Sequence, residues 1–585
     1  MTRRHWVWPE SGSEELAKKL AQELGLVPLV AQILCRRKLE DVQDAFQFLH
    51  ATLSDLPDPR QMEGMAQVLE RLAAALAGKE KITLFGDYDV DGVASTAMLK
   101  LFLEELGGQV ASYIPHRLNE GYGLNPAAIE KIAQQGTRLL VTLDCGISAH
   151  EEILQARKLG MDVIVVDHHA VPQTLPPANA ILNPLQPGCR YPDKNLCAAG
   201  VTFALCMALR KHLREKGWFS NGRREPHLKS FLDLAALATI ADVVPLRGVN
   251  RILVRYGLEE LSCSKRHGIC ALKEVSGLNG KALTAGRVGF QLAPRINAAG
   301  RLDDANLGVR LLSTRDPSEA QKLAHMLDEA NTERRAIERR VEEEATLLAE
   351  AKVARKLKGL VLAKEGWHAG VIGIVASRLV DKFHRPVVMV ALHDGVGKGS
   401  ARSIEGLHLF ETLSLCAEWF ERFGGHHHAA GLSIQEQWLA AFEERFEALA
   451  EACLSEEALI PRCRVDLRVG LEQLNEGLVD ALQMLAPFGC GNPEPVLAVA
   501  NVRAKPSVLE DKQTRKPTHL KLKLLDAPHI DVIGFNMAKE MSTEGGPLSA
   551  NNFDLAFCAE TSSWNGRTST CLKLRDIRFS EGVMP

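Results

Sequence analysis

Short apolar runs alternate with longer helical patterns through the first half of the chain. Ile82–Phe85, Leu139–Leu143 and Val163–Val166 each predict a buried strand, and Leu234–Ile240 is an apolar run of more helical character. The alanine- and leucine-rich segment Val93–Leu106 predicts a helix after the first strand. Strands that alternate with helices are typical of β-α units, so this region predicts a parallel sheet in an α/β fold.

The remaining patterns divide the rest of the chain. The first 50 residues have a helical pattern, and residues 318–358 contain neither Gly nor Pro, which predicts one long helix serving as a rigid spacer. A second α/β pattern starts at residue 359, and short alternating strands with turn signals after residue 455 predict a small barrel or sandwich. We therefore expect a multidomain protein with a helical lead-in (1–50), a catalytic domain (51–315), a connecting helix (316–358), a second α/β domain (359–455) and a C-terminal β-barrel (456–585).

Composition narrows the class of protein. At 585 residues the chain is too long for one core, and 46% hydrophobic with 24% charged residues is ordinary for a globular protein. The net charge of -3 means that any nucleic-acid site must come from a local basic patch. Thirteen cysteines without a Cys-x-x-Cys pair argue against a disulfide framework or a zinc ribbon. We find no signal-peptide core and no apolar stretch long enough to span a membrane, and therefore expect a cytoplasmic protein.

Acidic residues follow the predicted strands. Asp87, Asp89 and Asp91 lie between Gly86 and Gly92, directly after the first strand. Taken alone, this stretch is equally consistent with a metal site and with an acidic turn in which one Asp caps a helix. The pattern recurs, however, with Asp144 after the second strand, Asp167-His168-His169 after the third, and Asp242 after the fourth apolar run. Because ligand sites in open parallel sheets lie beyond the carboxyl ends of the strands, we expect these side chains to share one metal site.

The donor set indicates which metal chemistry to expect. Five or more carboxylates with one or two imidazoles exceed the three protein ligands of a single catalytic zinc. They fit two Mg²⁺ or Mn²⁺ ions, the arrangement used for phosphoester hydrolysis.

The motifs resemble a known superfamily. Gly86-Asp-Tyr-Asp-Val-Asp-Gly92, Asp144-Cys-Gly146, Asp167-His-His169 and Ala241-Asp-Val-Val244 are similar to the successive motifs of the DHH phosphoesterases. The resemblance implies that Asp89, Asp91, Asp144, His168 and Asp242 are catalytic metal ligands, with Asp87 and His169 close by. Many relatives carry a metal-binding His four residues before the first ligand of the Asp-x-Asp pair, where this chain has Phe85.

Further motifs point to one branch of that superfamily. Residues 397–403 and 424–431 resemble its companion substrate-binding domain, and residues 294–301 and 487–493 resemble the branch that degrades single-stranded DNA from the 5′ end. The resemblance implies that substrate phosphates contact Arg117, Arg301, Ser400, Arg402 and His426. We expect Ser400 and Arg402 to lie in a glycine-bearing loop, and His427 and His428 to be ordinary surface or packing residues.

The C-terminal barrel has a local basic bias that fits a single-strand groove. Seven Lys or Arg stand against two acids between residues 502 and 523. The resemblance implies an oligonucleotide-binding fold, with single-strand binding protein and a helicase as partners. We also expect a monomer. Two alternatives stay open: a DHH hydrolase for short oligonucleotides, cyclic-dinucleotide products or pyrophosphate, and a non-catalytic nucleic-acid-binding protein with a vestigial site.

Overall fold

The structure is a computed structural model that describes residues 4–9, 13–116, 120–121, 123–220, 222–302, 306–510, 516–538, 551–564 and 567–580. The chain forms two compact units. The first comprises residues 1–50, 337–486 and 494–585, and the second comprises residues 51–336 and 487–493. No helix in the described parts of the chain is long and apolar enough to cross a membrane.

The N-terminal segment of the first unit is helical, as predicted. After strand β1 (His5–Val7) come helices α1 (Glu14–Leu24), α2 (Pro28–Arg36) and α3 (Val42–His50). Ser13 caps α1, because its hydroxyl accepts a hydrogen bond from the Leu16 N–H at 3.3 Å. The sequence did not predict β1, which pairs in parallel with residues 462–464. Three residues are too few for a periodic pattern, so this strand depends on its distant partner.

The second unit is built on a five-stranded sheet, all of whose neighbouring strands are parallel, in the order β3-β2-β4-β5-β6. Its elements up to the sheet's last strand are α4 (Met65–Ala77), β2 (Lys81–Gly86), α5 (Val90–Glu105), β3 (Gln109–Tyr113), α6 (Pro126–Gln134), β4 (Leu139–Leu143), α7 (His150–Lys158), β5 (Asp162–Val166) and β6 (Ala180–Leu182). The three predicted strands are β2, β4 and β5. β3 and β6 were not predicted, since β3 contains Gln, Ser and Tyr and β6 has only three residues.

Helices follow the sheet. They are α8 (Ala198–Glu215), α9 (Leu232–Ala241), α10 (Gly248–Ser262), α11 (His267–Val275), α12 (Ala285–Arg287), α13 (Ala293–Leu302) and α14 (Asn306–Ser313), with a π-helical turn at Val288–Leu292. The apolar run before Asp242 is thus helix α9, and Asp242 follows a helix rather than a strand. α9 is buried along nearly its whole length, which is why its sequence shows no polar face.

The predicted long helix is α15 (Pro317–Ala354), whose 38 residues span roughly 57 Å at 1.5 Å per residue. Val341, Ala345 and Ala349 repeat every four residues and pack into an apolar cluster with the strands that follow. One stripe of an otherwise charged helix is therefore buried, and the rest is solvated.

The second sheet belongs to the first unit and has the order β10-β11-β9-β8-β7. Its elements are β7 (Leu360–Glu365), α16 (Ile372–Phe383), β8 (Val387–His393), β9 (Val396–Arg402), α17 (Leu409–Ser414), β10 (Phe420–Gly425), β11 (Ala429–Gln435) and α18 (Leu439–Cys453). The expectation that Ser400 and Arg402 lie in a loop is wrong, because both lie on β9. A Cβ at Gly397 would approach Val390 Cγ1 to 2.5 Å and one at Gly399 would approach Leu432 Cδ1 to 2.6 Å, so these glycines let neighbouring side chains cover the strand.

The C-terminal part of the first unit contains a closed five-stranded barrel, as predicted. Its elements are β12 (Arg462–Arg464), β13 (Leu467–Arg468), α19 (Glu476–Gln483), β14 (Leu497–Glu510), β15 (Pro517–Leu524), β16 (Asp531–Gly534), β17 (Asn551–Trp564) and β18 (Arg567–Phe579). The strands run in the order β14-β15-β16-β18-β17, and β17 pairs back onto β14 to close the barrel. Lys512 and Arg515 of the predicted basic run lie outside the described residues.

Candidate metal centre

The turn between β2 and α5 presents the first acidic side chains. Asp89 is the N-cap of α5, and its Oδ1 accepts hydrogen bonds from the N–H groups of Asp91 at 2.9 Å and Gly92 at 3.2 Å. Glycine is required at Gly92, because a Cβ there would overlap the backbone of Asp87. The capping interpretation of this stretch is therefore correct for one oxygen of Asp89.

Asp91 is buried in the first turn of α5. Its two oxygens accept hydrogen bonds from Ala198 N–H at 2.6 Å and Ala199 N–H at 2.8 Å, which are the first two residues of α8. The positive end of the α8 dipole thus faces a negative side chain. This contact fixes Asp91 from a second helix.

Asp144 follows β4 with a left-handed backbone conformation, φ 64°. This conformation is uncommon for a residue other than glycine and is a mark of functional sites. The next turn places Ile147 N–H 3.0 Å from Asp167 Oδ2, at the end of β5. The two strand ends are thereby joined through a buried carboxylate.

Asp167 orients the adjacent histidines. Its Oδ1 accepts hydrogen bonds from the backbone N–H groups of His168 at 2.7 Å and His169 at 3.1 Å, and lies 2.7 Å from His169 Nδ1. Burial opposes ionisation of Asp167, but these hydrogen bonds outweigh it and lower its pKa. Burial likewise opposes protonation of His169, but Asp167 prevails and raises the His169 pKa to about 9.

Asp242 is the C-cap of α9, and Val243 follows it with φ 60°. For a β-branched residue this is a strained conformation. The segment 487–493, here called the strap, docks just beyond: Leu246 N–H donates to Cys490 O at 2.8 Å and Arg247 Nε donates to Gly491 O at 2.8 Å. A second stretch of chain thus packs against the loop that follows Asp242.

The ring of His168 lies at the centre of these residues. Its Nε2 is 3.2 Å from Asp144 Oδ1, 3.7 Å from Asp91 Oδ2 and 3.7 Å from Asp242 Oδ2. Three sets of side chains place their donor atoms within 4.8 Å of one another: Asp91, His168 and Asp242; Asp144, His168 and His169; and Asp87, Asp89 and Asp144. Because Asp144 and His168 each belong to two sets, the geometry suits two adjacent ions rather than one.

The protonation equilibria of the acids also fit a cation. Burial and the neighbouring carboxylates raise the pKa values of Asp91 and Asp144, and raise that of Asp242 to about 8. Asp242 Oδ2 is buried and accepts no hydrogen bond from the residues that the structure describes. Ionised acids this close need a counter-charge, and hard oxygen donors with imidazole suit Mg²⁺ or Mn²⁺.

Phe85 contributes no ligand atom. Its ring is fully buried and stacks on Tyr113, with ring centroids 5.4 Å apart. Asp87, by contrast, belongs to the set with Asp89 and Asp144. The backbone N–H of Asp87 donates to Leu143 O at 3.2 Å, which holds the turn against the end of β4.

The predicted phosphate contacts are distributed differently. Ser400 and Arg402 point from β9 toward the N-terminus of α16, where a Cβ at Gly373 would lie 2.8 Å from Ser400 Oγ and 3.2 Å from Arg402 Nη2. His426, His427 and His428 are exposed between β10 and β11. These residues belong to the first unit, whereas the acids belong to the second. Arg117 lies outside the described residues, and for Arg301 the structure describes the α13 backbone alone.

Sequence reasoning missed Gly373 and Asn297. Asn297 Oδ1 accepts a hydrogen bond from Val90 N–H at 3.0 Å, between the two acids that begin α5. It lies within the motif 294–301, so the signal was present, but nothing in its sequence context distinguishes a cap of another helix from an ordinary helical Asn.

Three family models match consecutive parts of the chain. They are the DHH family N-terminal domain at residues 81–239, the DHHA1 domain at 356–456 and the RecJ OB domain at 465–576. A parallel sheet with Asp-x-Asp and Asp-His-His motifs at its strand ends, followed by this companion domain, defines a DHH phosphoesterase.

Relatives narrow the class further. Single-stranded-DNA-specific exonuclease RecJ of Bacillus subtilis (strain 168) is 38% identical over 97% of this chain and 70% of its own length. The protein of the same name from Dickeya dadantii is 38% identical over 94% of this chain and 96% of its own length. The crystal structure of RecJ in complex with Mn²⁺ from Thermus thermophilus is similar with a TM-score of 0.82 and 30% identity, covering 99% of this chain and 80% of that one. This chain belongs to the RecJ family.

Proposed function

We propose that this protein is a metal-dependent exonuclease that degrades single-stranded DNA to mononucleotides from the 5′ end, acting in recombination and repair. The observation that carries the proposal is the overlap of three ligand sets, in which Asp144 and His168 each belong to two. Relatives named single-stranded-DNA-specific exonuclease support the substrate, and RecJ structures with Mn²⁺ and with Mg²⁺ support the cofactor.

The proposed ligands for two Mg²⁺ or Mn²⁺ ions are Asp87, Asp89, Asp91, Asp144, His168 and Asp242. When bound, such ions supply a nucleophilic hydroxide and neutralise charge on the phosphoryl oxygens. Asp89 and Asp91 each accept hydrogen bonds from helix N–H groups. These bonds fix the orientation of the carboxylates, and so the direction of the lone pairs that remain for a metal ion. Asp167 holds the His169 ring, and we propose that His169 lies beside the ions and donates a hydrogen bond to the phosphate.

Side chains that can bind a terminal phosphate support degradation from the 5′ end. Arg402 Nη1 donates to Ala401 O at 2.7 Å and lies 3.3 Å from Ser400 Oγ, which holds the guanidinium in place. A guanidinium fixed in this way can bind a phosphate through its remaining N–H groups. We propose that Ser400, Arg402 and His426 bind the terminal 5′ phosphate or the adjoining backbone, and that Arg117 and Arg301 also bind substrate phosphates. A pocket for a chain end makes cleavage exonucleolytic.

In this proposal the C-terminal barrel binds the single-stranded DNA. A closed barrel of this kind binds single strands through basic side chains and stacking aromatics. Lys505, Lys521 and Lys523 lie on paired strands β14 and β15, with Lys505 opposite Lys523. We further propose that the protein acts as a cytoplasmic monomer on strands that a helicase unwinds and single-strand binding protein covers.

The proposal is tested with single-stranded oligonucleotides labelled at either end, in Mn²⁺ or Mg²⁺. We expect the 5′ label to appear first as a mononucleotide and EDTA to abolish release. The same oligonucleotide annealed into a blunt duplex is the matched substrate control and should be resistant. First release of the 3′ label would refute the polarity, and activity that falls as the strand lengthens would indicate a hydrolase of short oligonucleotides.

A further inference from the structure

Two apolar side chains beside the candidate metal centre are exposed to solvent. Phe290 is 86% exposed, more than any other large hydrophobic residue that the structure describes, and Val243 is 65% exposed. Val243 directly follows the ligand candidate Asp242. An exposed aromatic ring offers a flat apolar face on which an unpaired base can stack.

The backbone around Phe290 is firmly anchored. It lies in the π-helical turn Val288–Leu292, whose end residues Val288 and Leu292 are fully buried. Gly289 faces helix α9, since a Cβ there would lie 3.5 Å from Ile240 Cγ2, two residues before Asp242. The exposed ring therefore projects from a fixed position next to the end of α9.

The same segment also contacts the other side of the metal centre. Helix α13 follows the π-helical turn directly, and its Asn297 accepts the hydrogen bond from Val90 N–H between Asp89 and Asp91. The segment that carries Phe290 thus contacts both the Asp89–Asp91 turn and the helix that ends at Asp242. π-Helical turns are rare and occur frequently at functional sites, which fits a turn that sets the direction of one side chain.

We propose that Phe290, together with Val243, forms a platform on which a nucleobase of the single strand stacks while its phosphodiester lies at the metal centre. The proposal rests on the proposed function. Metal ions and arginines bind phosphates, but an unpaired base exposes a flat apolar face that they cannot satisfy. Stacking on an aromatic ring covers that face without distinguishing among bases, as a non-specific exonuclease requires.

The test compares Phe290→Ala with wild type on two 5′-phosphorylated strands, one of ordinary sequence and one whose first four residues are abasic. We expect Phe290→Ala to lower kcat/KM on the ordinary strand about tenfold, equivalent to about 1.4 kcal/mol, as for loss of one stacked base. On the abasic strand the two proteins should be equal, because no base is there to stack. Phe290→Trp should retain activity on both strands.

Two controls separate stacking from damage to the site. Phe46→Ala removes an equally large ring that is 49% exposed on α3, and should leave kcat/KM unchanged on both strands. Mn²⁺ titration by calorimetry should give the same affinity for Phe290→Ala as for wild type. If wild type degrades neither strand, the proposed function fails before the platform is tested.

Three outcomes would overturn the platform. The first is an equal loss of activity on the ordinary and abasic strands, which would mean that Phe290 acts on the backbone or the fold. The second is no loss on either strand. The third is a loss that appears only when single-strand binding protein coats the DNA, which would assign Phe290 to a protein contact.

Discussion

The backbone N–H of Leu246 donates a hydrogen bond to the carbonyl oxygen of Cys490 at 2.8 Å, joining residues 244 positions apart in sequence. Leu246 follows the ligand candidate Asp242 by four residues, and Cys490 lies in the strap. The strap fits closely, because a Cβ at Gly489 would lie 2.7 Å from Leu246 Cδ1 and one at Gly491 would lie 3.0 Å from Pro245 Cβ. The position of the Asp242 loop therefore depends on glycines at the far end of the chain.

This contact predicts that Gly491→Ala destabilises the protein and lowers activity. Gly491 has φ 68°, which costs a residue with a Cβ about 1 kcal/mol, and the added Cβ also presses on Pro245. Gly280→Ala is the matched control, since Gly280 has the same φ of 68° with nothing within 4 Å of an added Cβ. Thermal unfolding and nuclease rates should show a larger stability loss at Gly491 and an activity loss there alone. Equal effects at both positions would mean that the left-handed backbone conformation alone explains the losses, and that the contact between the strap and Pro245 has no role.

Asp144→Asn should stabilise the metal-free protein and abolish activity. Removing one charge from a buried group of acids relieves repulsion, so the variant should melt above wild type in EDTA. Saturating Mn²⁺, at about 100 times its Kd, should stabilise wild type by about 2.7 kcal/mol and the variant far less. Asp381→Asn, at an exposed position, is the control and should respond to Mn²⁺ like wild type. A variant that melts lower than wild type in EDTA would show that Asp144 stabilises the fold without metal.

Val243→Gly should raise stability and lower activity. The left-handed conformation at φ 60° costs valine about 1 kcal/mol that glycine avoids. The change also removes an apolar side chain beside Asp242 and frees the loop, so turnover should fall. Asn501→Gly, at φ 56°, is the control, because Asn tolerates this conformation and should gain little. Unfolding midpoints and turnover measured together check the prediction, and a variant gaining in both would mean that the strain has no role in activity.

Arg402→Lys should reduce the preference for a 5′ phosphate. Lysine keeps the charge but loses the planar pair of N–H donors, so the ratio of rates on 5′-phosphorylated and 5′-hydroxyl strands should fall about tenfold. Arg422→Lys on exposed β10 is the control from the same sheet. An unchanged ratio, with both rates lowered together, would assign Arg402 to general backbone binding.

The sequence predicts those elements and site residues whose pattern lies within a short stretch of chain, and it does not predict those that depend on contacts between distant residues. Strands β2, β4 and β5 are buried apolar runs, and the acids that follow them were identifiable because the carboxyl ends of parallel strands converge. Asp242 follows a helix instead, and an apolar run alone does not distinguish the two elements. Gly397 and Gly399 led to the prediction of a loop at β9. Their role is instead to leave room for side chains from β8 and β11, and the sequence does not show that packing. The Asn297 hydrogen bond to Val90 is equally non-local.

The hydrogen bonds of Asp91 affect how an inactive form of this protein should be made. Both of its oxygens hold the first residues of α8, so replacing Asp91 removes helix caps together with a ligand. An Asp91→Ala protein would be a misleading reagent for trapping a strand in the site, because lost binding could reflect a displaced helix. A dead enzyme that still binds DNA is better made at Asp144, whose Oδ1 lies 3.2 Å from Nε2 of another ligand candidate, His168.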